Sequence, residues 1–207
     1  MIAIIDYGAG NIHNVRSILE HLKQDVIVTS DPEDLKKADR IVLPGVGAFG
    51  YMMKNLSEKG LDKEIHNQVY NNNKPFLGVC LGFQAMFDSS EESPGAKGLG
   101  LFKGQVVKFK WGKVPHVGWN NVKNPKLISQ DHDQDKFNNG YAYFVHSFYP
   151  KPEDKSVILF ESDYGETFCS GVAKDNVIGV QFHPERSGKW GIEFYRRWIN
   201  DELTNKN

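Results

Sequence analysis

The sequence has only two cysteines, Cys80 and Cys169, too few for a disulfide framework, so a reducing cytosol is the expected compartment. It has no excess of either charge. With 25 basic and 26 acidic residues, a formal net charge of −1 argues against an electrostatic nucleic-acid binder. No apolar run approaches the ~18 residues needed to span a membrane. Met1-Ile-Ala-Ile-Ile5 reads as a strand rather than a basic leader. There is no internal repeat and no low-complexity linker, so 207 residues are expected to form one soluble domain, 1–207.

What is present organises around Lys74-Pro-Phe-Leu-Gly-Val-Cys-Leu-Gly-Phe-Gln-Ala-Met-Phe87. Phe76 to Val79 reads as a buried strand that breaks at Cys80 into Leu81-Gly82, with a helical pattern following. A side chain at such a turn is exposed beside the backbone N–H groups of the new helix, as in a nucleophile elbow. A helix N-terminus there favours the thiolate, and Gly78 and Gly82 relieve the crowding. By itself, Cys80 reads equally as a small buried hydrophobe at a strand end.

The preceding pattern is regular. Ile2 to Ile5, Val26 to Val28 and Arg40 to Leu43 read as strands. Helices follow at Val15–Leu22, after the Asp31-Pro32 cap, and over Tyr51–Asn72. Alternating strands and helices predict a parallel sheet covered on both faces, with ligands beyond the carboxyl ends of the strands. Gly8/Gly10, Pro44-Gly45-Val46-Gly47 and Cys80 all fall at that rim. Gly8 and Gly10 lack the G-x-G-x-x-G pattern and read as a tight turn. The Pro44 run by itself is a Pro-Gly turn, but beside Cys80 its N–H groups and that of Leu81 can form an oxyanion hole.

Beyond Leu99 the expected strands are shorter: Leu101–Trp111, Val114–Val122, Tyr141–Val145, Val157–Glu161 and Phe168–Ala173, with Asn139-Gly140 as a hairpin turn. This half reads as antiparallel or mixed. Asp131, Asp133 and Asp135 alternate as in a calcium loop, yet its glycine and closing glutamate are missing, so Ser129–Asn139 reads as a solvated loop. No metal or cofactor is expected. Val177–Phe182 is the last strand, and it delivers His183-Pro184-Glu185 before a helix over Ser187–Leu203. A cysteine nucleophile needs a base and a group to orient it. Of seven histidines only His183 sits at the end of an apolar strand with a carboxylate two positions on. Extended residues two apart face one side, so Glu185 can fix the imidazole of His183, which is triad logic.

Gly78-Val-Cys-Leu-Gly-Phe-Gln84 with Gln181-Phe-His-Pro-Glu185 resembles the class I glutamine amidotransferases. Asp6-Tyr-Gly-Ala-Gly-Asn-Ile12, Pro44-Gly-Val-Gly47, Val114-Pro-His-Val-Gly-Trp-Asn120 and Tyr143-Phe-Val-His-Ser147 narrow the resemblance to the glutaminase subunits of imidazole glycerol phosphate synthases. The resemblance implies a flavodoxin-like α/β fold: a parallel or mixed central sheet flanked by helices, with an additional antiparallel sheet. It implies Cys80 as nucleophile, His183 as base and then acid, and Glu185 as the orienting carboxylate. Gly45, Val46, Gly47 and Leu81 would stabilise the oxyanion. Gln84 and Glu92, with the His146-Ser147-Phe148 backbone, would hold the ends of glutamine. The implied partner is a (β/α)₈ barrel cyclase that turns a phosphoribulosyl formimino-AICAR ribonucleotide into imidazole glycerol phosphate and AICAR in histidine biosynthesis. Asn11, Asn14, His116, Trp119, Asn120, Tyr141 and Arg186 are the candidate docking residues. Three competing readings stand beside it: a glutaminase serving another synthase, a cysteine hydrolase using water alone, and a binding subunit with a decayed site.

Overall fold

A computed structural model describes residues 1–125, 137 and 139–203. The first half alternates as the pattern requires: β1 (Ile2–Ile5), α1 (Ile12–His21), β2 (Val26–Thr29), α2 (Pro32–Lys37), β3 (Arg40–Gly45), α3 (Phe49–Glu58), α4 (Leu61–His66), β4 (Phe76–Cys80) and α5 (Leu81–Gln84). The Asp31 carboxylate accepts the N–H of Glu33 and starts α2 as the Asp-Pro pair predicts. The ten residues of α1 are too few to hold a helix in water unaided. They are helical because Val15 and Leu19 are buried against the sheet.

The second half continues with β5 (Ser89–Ser90), β6 (Gly104–Lys108), β7 (His116–Lys123), β8 (Asn139–His146), β9 (Phe148–Pro152), β10 (Ile158–Asp163), β11 (Thr167–Lys174), β12 (Val177–Val180) and α6 (Gly188–Ile199). A nine-stranded sheet runs β2-β1-β3-β4-β12-β11-β10-β7-β8. The five strands from β2 to β12 are parallel and the rest antiparallel. The decisive insertion is β12 beside β4, with Val180 opposite Val79. It carries the residue three positions beyond Val180, His183, to the rim where Cys80 ends its strand. Helices α2 to α5 cover one face through residues such as Leu35, Phe49, Leu61 and Phe83. The other face is covered by α1 and α6 through Val15, Leu19, Phe194 and Trp198. No helix among the described residues is long and apolar enough to cross a membrane.

Several boundaries differ from expectation. The helix expected over Tyr51–Asn72 is interrupted at Gly60, whose φ of 70° ends the run, and its last part, Asn67–Asn71, is π-helical. Most of the antiparallel half extends the main sheet. The separate sheet has three strands, β5-β6-β9, and its β5–β6 pairing is parallel. The sequence pattern does not reveal strand β9, because Pro150 and Pro152 interrupt it. It is an edge strand paired only with β6, where proline is tolerated. Asn139-Gly140 is not a turn but the start of β8, with Gly140 opposite Val122. Its missing side chain leaves room for the Trp190 indole, which any Cβ there would strike. The aspartates at 131, 133 and 135 lie outside the described residues, as does nearly all of the Ser129–Asn139 stretch.

Candidate active site

The turn at Cys80 is built by crowding. Cys80 has φ 56° and ψ −107°, a conformation that L side chains rarely adopt. Such a residue costs on the order of 1–3 kcal/mol and persists only where its surroundings over-determine it. Here they do. A Cβ at Gly82 would strike the Leu43 carbonyl, one at Gly78 the Met86 sulfur, and one at Gly45 the Met52 methyl and the Gly82 nitrogen. Three glycines let β3, β4 and the next turn pack against one another. The helix after the elbow is a single turn, Leu81–Gln84. A long macrodipole is therefore not what acts on Cys80.

His183 is buried, and its Nδ1 lies 2.7 Å from Glu185 Oε1. The carboxylate arrives by a 3₁₀ turn over Pro184–Arg186, not by the extended alternation expected. Nδ1 must carry a proton toward that acceptor, which leaves Nε2 for exchange with the thiol. Burial disfavours a charged imidazole. The Cys80 sulfur and then Glu185 outweigh it and hold His183 well above the usual imidazole range. Such an arrangement favours an imidazolium at His183 beside the Cys80 sulfur. The His183 N–H donates to the Tyr143 carbonyl (2.9 Å) and its carbonyl accepts from Ser187 Oγ (2.7 Å), so His183 is clamped to β8.

A cavity of about 310 Å³ opens at Cys80 and His183. Leu81, Gln84, Val46 and Gly47 line it from the parallel strand ends, and Glu92, His146, Ser147 and Phe148 from the other half. Gln84 Nε2 donates to the Phe148 carbonyl (2.9 Å) and to Gln181 Oε1 (3.0 Å). Gln181 is fully buried and turns its own Nε2 to Cys80 Sγ at 3.7 Å. Glu92 also caps α3, its Oε2 accepting from Phe49 N–H at 2.7 Å. The Val46 peptide does not face the cavity with its N–H. That N–H donates to the Tyr7 hydroxyl (3.0 Å), which in turn donates to the Val46 carbonyl (2.9 Å). In this conformation the Val46 N–H, expected from the sequence as an oxyanion donor, is taken by Tyr7.

The family model for glutamine amidotransferase class-I matches residues 3–199. The chain belongs to that family. Curated relatives resemble this amidotransferase over nearly its whole length. It is 45% identical to imidazole glycerol phosphate synthase subunit HisH 1 of Methanococcus maripaludis, covering 96% of this chain and 98% of that one. It is 46% identical to subunit HisH of Pyrococcus furiosus (95% and 97%) and 41% identical to that of Acinetobacter baylyi (96% and 97%). A solved glutamine amidotransferase superposes with a TM-score of 0.77 at 17% identity over 98% of each chain. PurLQS from Thermotoga maritima gives 0.70 at 18% over 97% and 98%. These two establish shared fold alone. The amidotransferase is a glutamine-hydrolysing enzyme of the α/β class expected.

The residues expected to dock a partner separate into two groups in the amidotransferase. Trp119 and Tyr141 are 57% and 63% exposed on one face of β7–β8, so Trp119 is not core packing. Val117 and Val145 share that face, and Arg186 lies 4.1 Å over the Tyr143 ring beside it. Asn14 is exposed on α1. Three others turn inward. Asn11 Nδ2 donates to Glu185 Oε1 at 3.0 Å and so orients the carboxylate. His116 is buried, its ring Nδ1 3.0 Å from His146 Nε2, and Asn120 is tied to His116 and to the Asp163 carbonyl. Buried rings cannot meet a partner, so His116 is withdrawn from the docking set. Gln181 and Tyr7 were missed as site residues. Each lay inside a quoted motif, but only tertiary contact shows what its polar group reaches.

Proposed function

We propose that this chain is the glutaminase subunit of an imidazole glycerol phosphate synthase. The Cys80 thiolate attacks the side-chain amide carbon of L-glutamine, and the tetrahedral oxyanion forms against the N–H of Leu81. His183, oriented by Glu185 and Asn11, gives its Nε2 proton to the departing amine, and ammonia leaves a γ-glutamyl thioester. His183 then takes a proton from water, which attacks the thioester and releases glutamate. Gln84, Glu92 and the Ser147-Phe148 backbone hold the amino-acid end of the substrate. The observation that carries this reading is that Cys80, His183 and Gln84 share one cavity of amino-acid size.

The ammonia is consumed on a barrel cyclase docked on the face formed by Trp119, Tyr141, Val117 and Val145, where aromatic anchors suit an interface. The isolated subunit is nearly idle, because the Val46 N–H is held by Tyr7 and not offered to the oxyanion. Gly45 and Gly47 allow that peptide to rotate, and docking of the nucleotide-loaded cyclase drives the rotation. The test is glutamine hydrolysis by the chain alone and with a barrel cyclase plus its phosphoribosyl ligand. Weak activity alone, a large rise in the complex and its loss in Cys80→Ala are the expected results. No rise would assign a different acceptor enzyme, and no hydrolysis under any condition would sink the glutaminase reading itself.

A further inference from the structure

Two buried histidines that the proposed chemistry does not use form a chain with a defined direction. Its ends fix it. The Phe148 carbonyl can only accept, so His146 Nδ1, 2.9 Å away, carries the hydrogen. At the other end Asn120 Nδ2 donates to the Asp163 carbonyl (2.9 Å), while Asn120 Oδ1 accepts from Asn121 N–H (2.7 Å), so the amide orientation is set. The remaining Nδ2 hydrogen points at His116 Nε2 (3.3 Å), which must accept. His116 Nδ1 therefore donates to His146 Nε2 at 3.0 Å. Only one assignment satisfies every member, with both rings neutral and both protonated on Nδ1. An added proton on either ring would set two donors face to face.

Packing agrees with this. His116 stacks on Tyr164 and Phe144, and Phe109 and Phe168 close around both rings. Burial holds His116 down to about 4, and burial with the neighbouring His116 and His183 holds His146 down to about 3. The Phe148 carbonyl is where the chain ends, and it accepts from Gln84 as well.

We propose that His116 and His146 are positioning residues for glutamine binding: a neutral, directional pair that fixes the Phe148 carbonyl and, through it, Gln84. This rests on reading the cavity as the glutamine site. Gln84 and that carbonyl grip the part of glutamine that does not react, so loosening them weakens ground state and transition state alike. In the complex with the cyclase, His116→Phe is expected to raise KM for glutamine about tenfold with kcat little changed, the effect of losing roughly one hydrogen bond. His116→Asn, which can keep a donor near the Nδ1 position, is expected to restore KM to within about twofold of the parent. Equal behaviour of the two variants, or an unchanged KM in a folded His116→Phe, would overturn the proposal. A second measurement needs neither variant kinetics nor activity. Ring-nitrogen NMR of the unmodified full chain at pH 7 should find both histidines neutral with the hydrogen on Nδ1, the less common tautomer. A hydrogen on Nε2 of either ring would overturn it even if glutaminase activity is intact. The expected tautomers without any glutaminase activity would instead fault the reading of the cavity.

Discussion

Strands β2, β1, β3, β4 and β12 run parallel and end at one rim, whereas β11, β10, β7 and β8 alternate in direction, and of these β8 reaches the same cavity from its side through Val145 and His146. Cys80, the Val46 loop and His183 come from the ends of the parallel strands. The Phe148 carbonyl, the histidine pair and the exposed Trp119 face belong to the rest of the chain. Parallel strand ends bring reactive groups together because each strand stops at the same level and turns sharply. Antiparallel strands have two faces to use. In β7–β8 one face buries His116 and His146 toward the site, and the other presents aromatic surface outward. The proposed chemistry thus sits in the parallel half, the proposed grip on substrate is shared between Gln84 of that half and the Phe148 carbonyl of the other, and the proposed docking face belongs to the other half alone.

The largest test of that division uses the two cysteines, one in each half. Cys80→Ala should lower glutaminase activity of the complex at least about 10³-fold without unfolding the chain. Cys169, on β11, is buried beside the Gly171 carbonyl, and burial pushes its thiol up to about 12. Cys169→Ala should leave kcat/KM intact and cost on the order of 1 kcal/mol in urea denaturation. Alkylation should follow the same split. Substantial activity in Cys80→Ala would break the comparison outright.

A smaller effect is expected within the parallel half. Tyr7→Phe removes the hydrogen bonds to the Val46 N–H and to the Val46 carbonyl, so glutamine hydrolysis without the partner should rise about tenfold, the scale of roughly one hydrogen bond. An unchanged or lower basal rate would mean that Tyr7 does not restrain the loop. The smallest effect belongs to the antiparallel half. His116 has a folded value near 4 against 6.5 unfolded, so the unfolded chain takes up the proton first as pH falls. Its contribution is therefore complete above about pH 6.5 and is lost progressively below it. Between pH 6.5 and 5.5 the parent should lose about 1 kcal/mol more than His116→Phe in urea denaturation. His183 shifts the opposite way in both proteins and cancels in that difference. Parallel pH profiles would mean that His116 is not held neutral.

Much of this is legible in the sequence. Four strands, their intervening helices and the elbow at Cys80 follow from apolar runs, the Asp31-Pro32 start and glycine spacing, because those signals act over a few residues. The pairing of His183 with Glu185 was legible as well, although the 3₁₀ turn that achieves it was not. Three things belonged to the tertiary structure alone. Strand β12, the last along the chain, inserts beside β4, and only that pairing brings His183 to Cys80. The polar ends of Tyr7, Asn11 and Gln181 are satisfied by residues 39, 174 and 101 positions away, far beyond any local pattern. Pro-His-Val-Gly-Trp-Asn reads as one motif, yet His116 points inward and Trp119 outward. Which face of a strand is buried depends on what packs against it, and that is decided by the whole sheet.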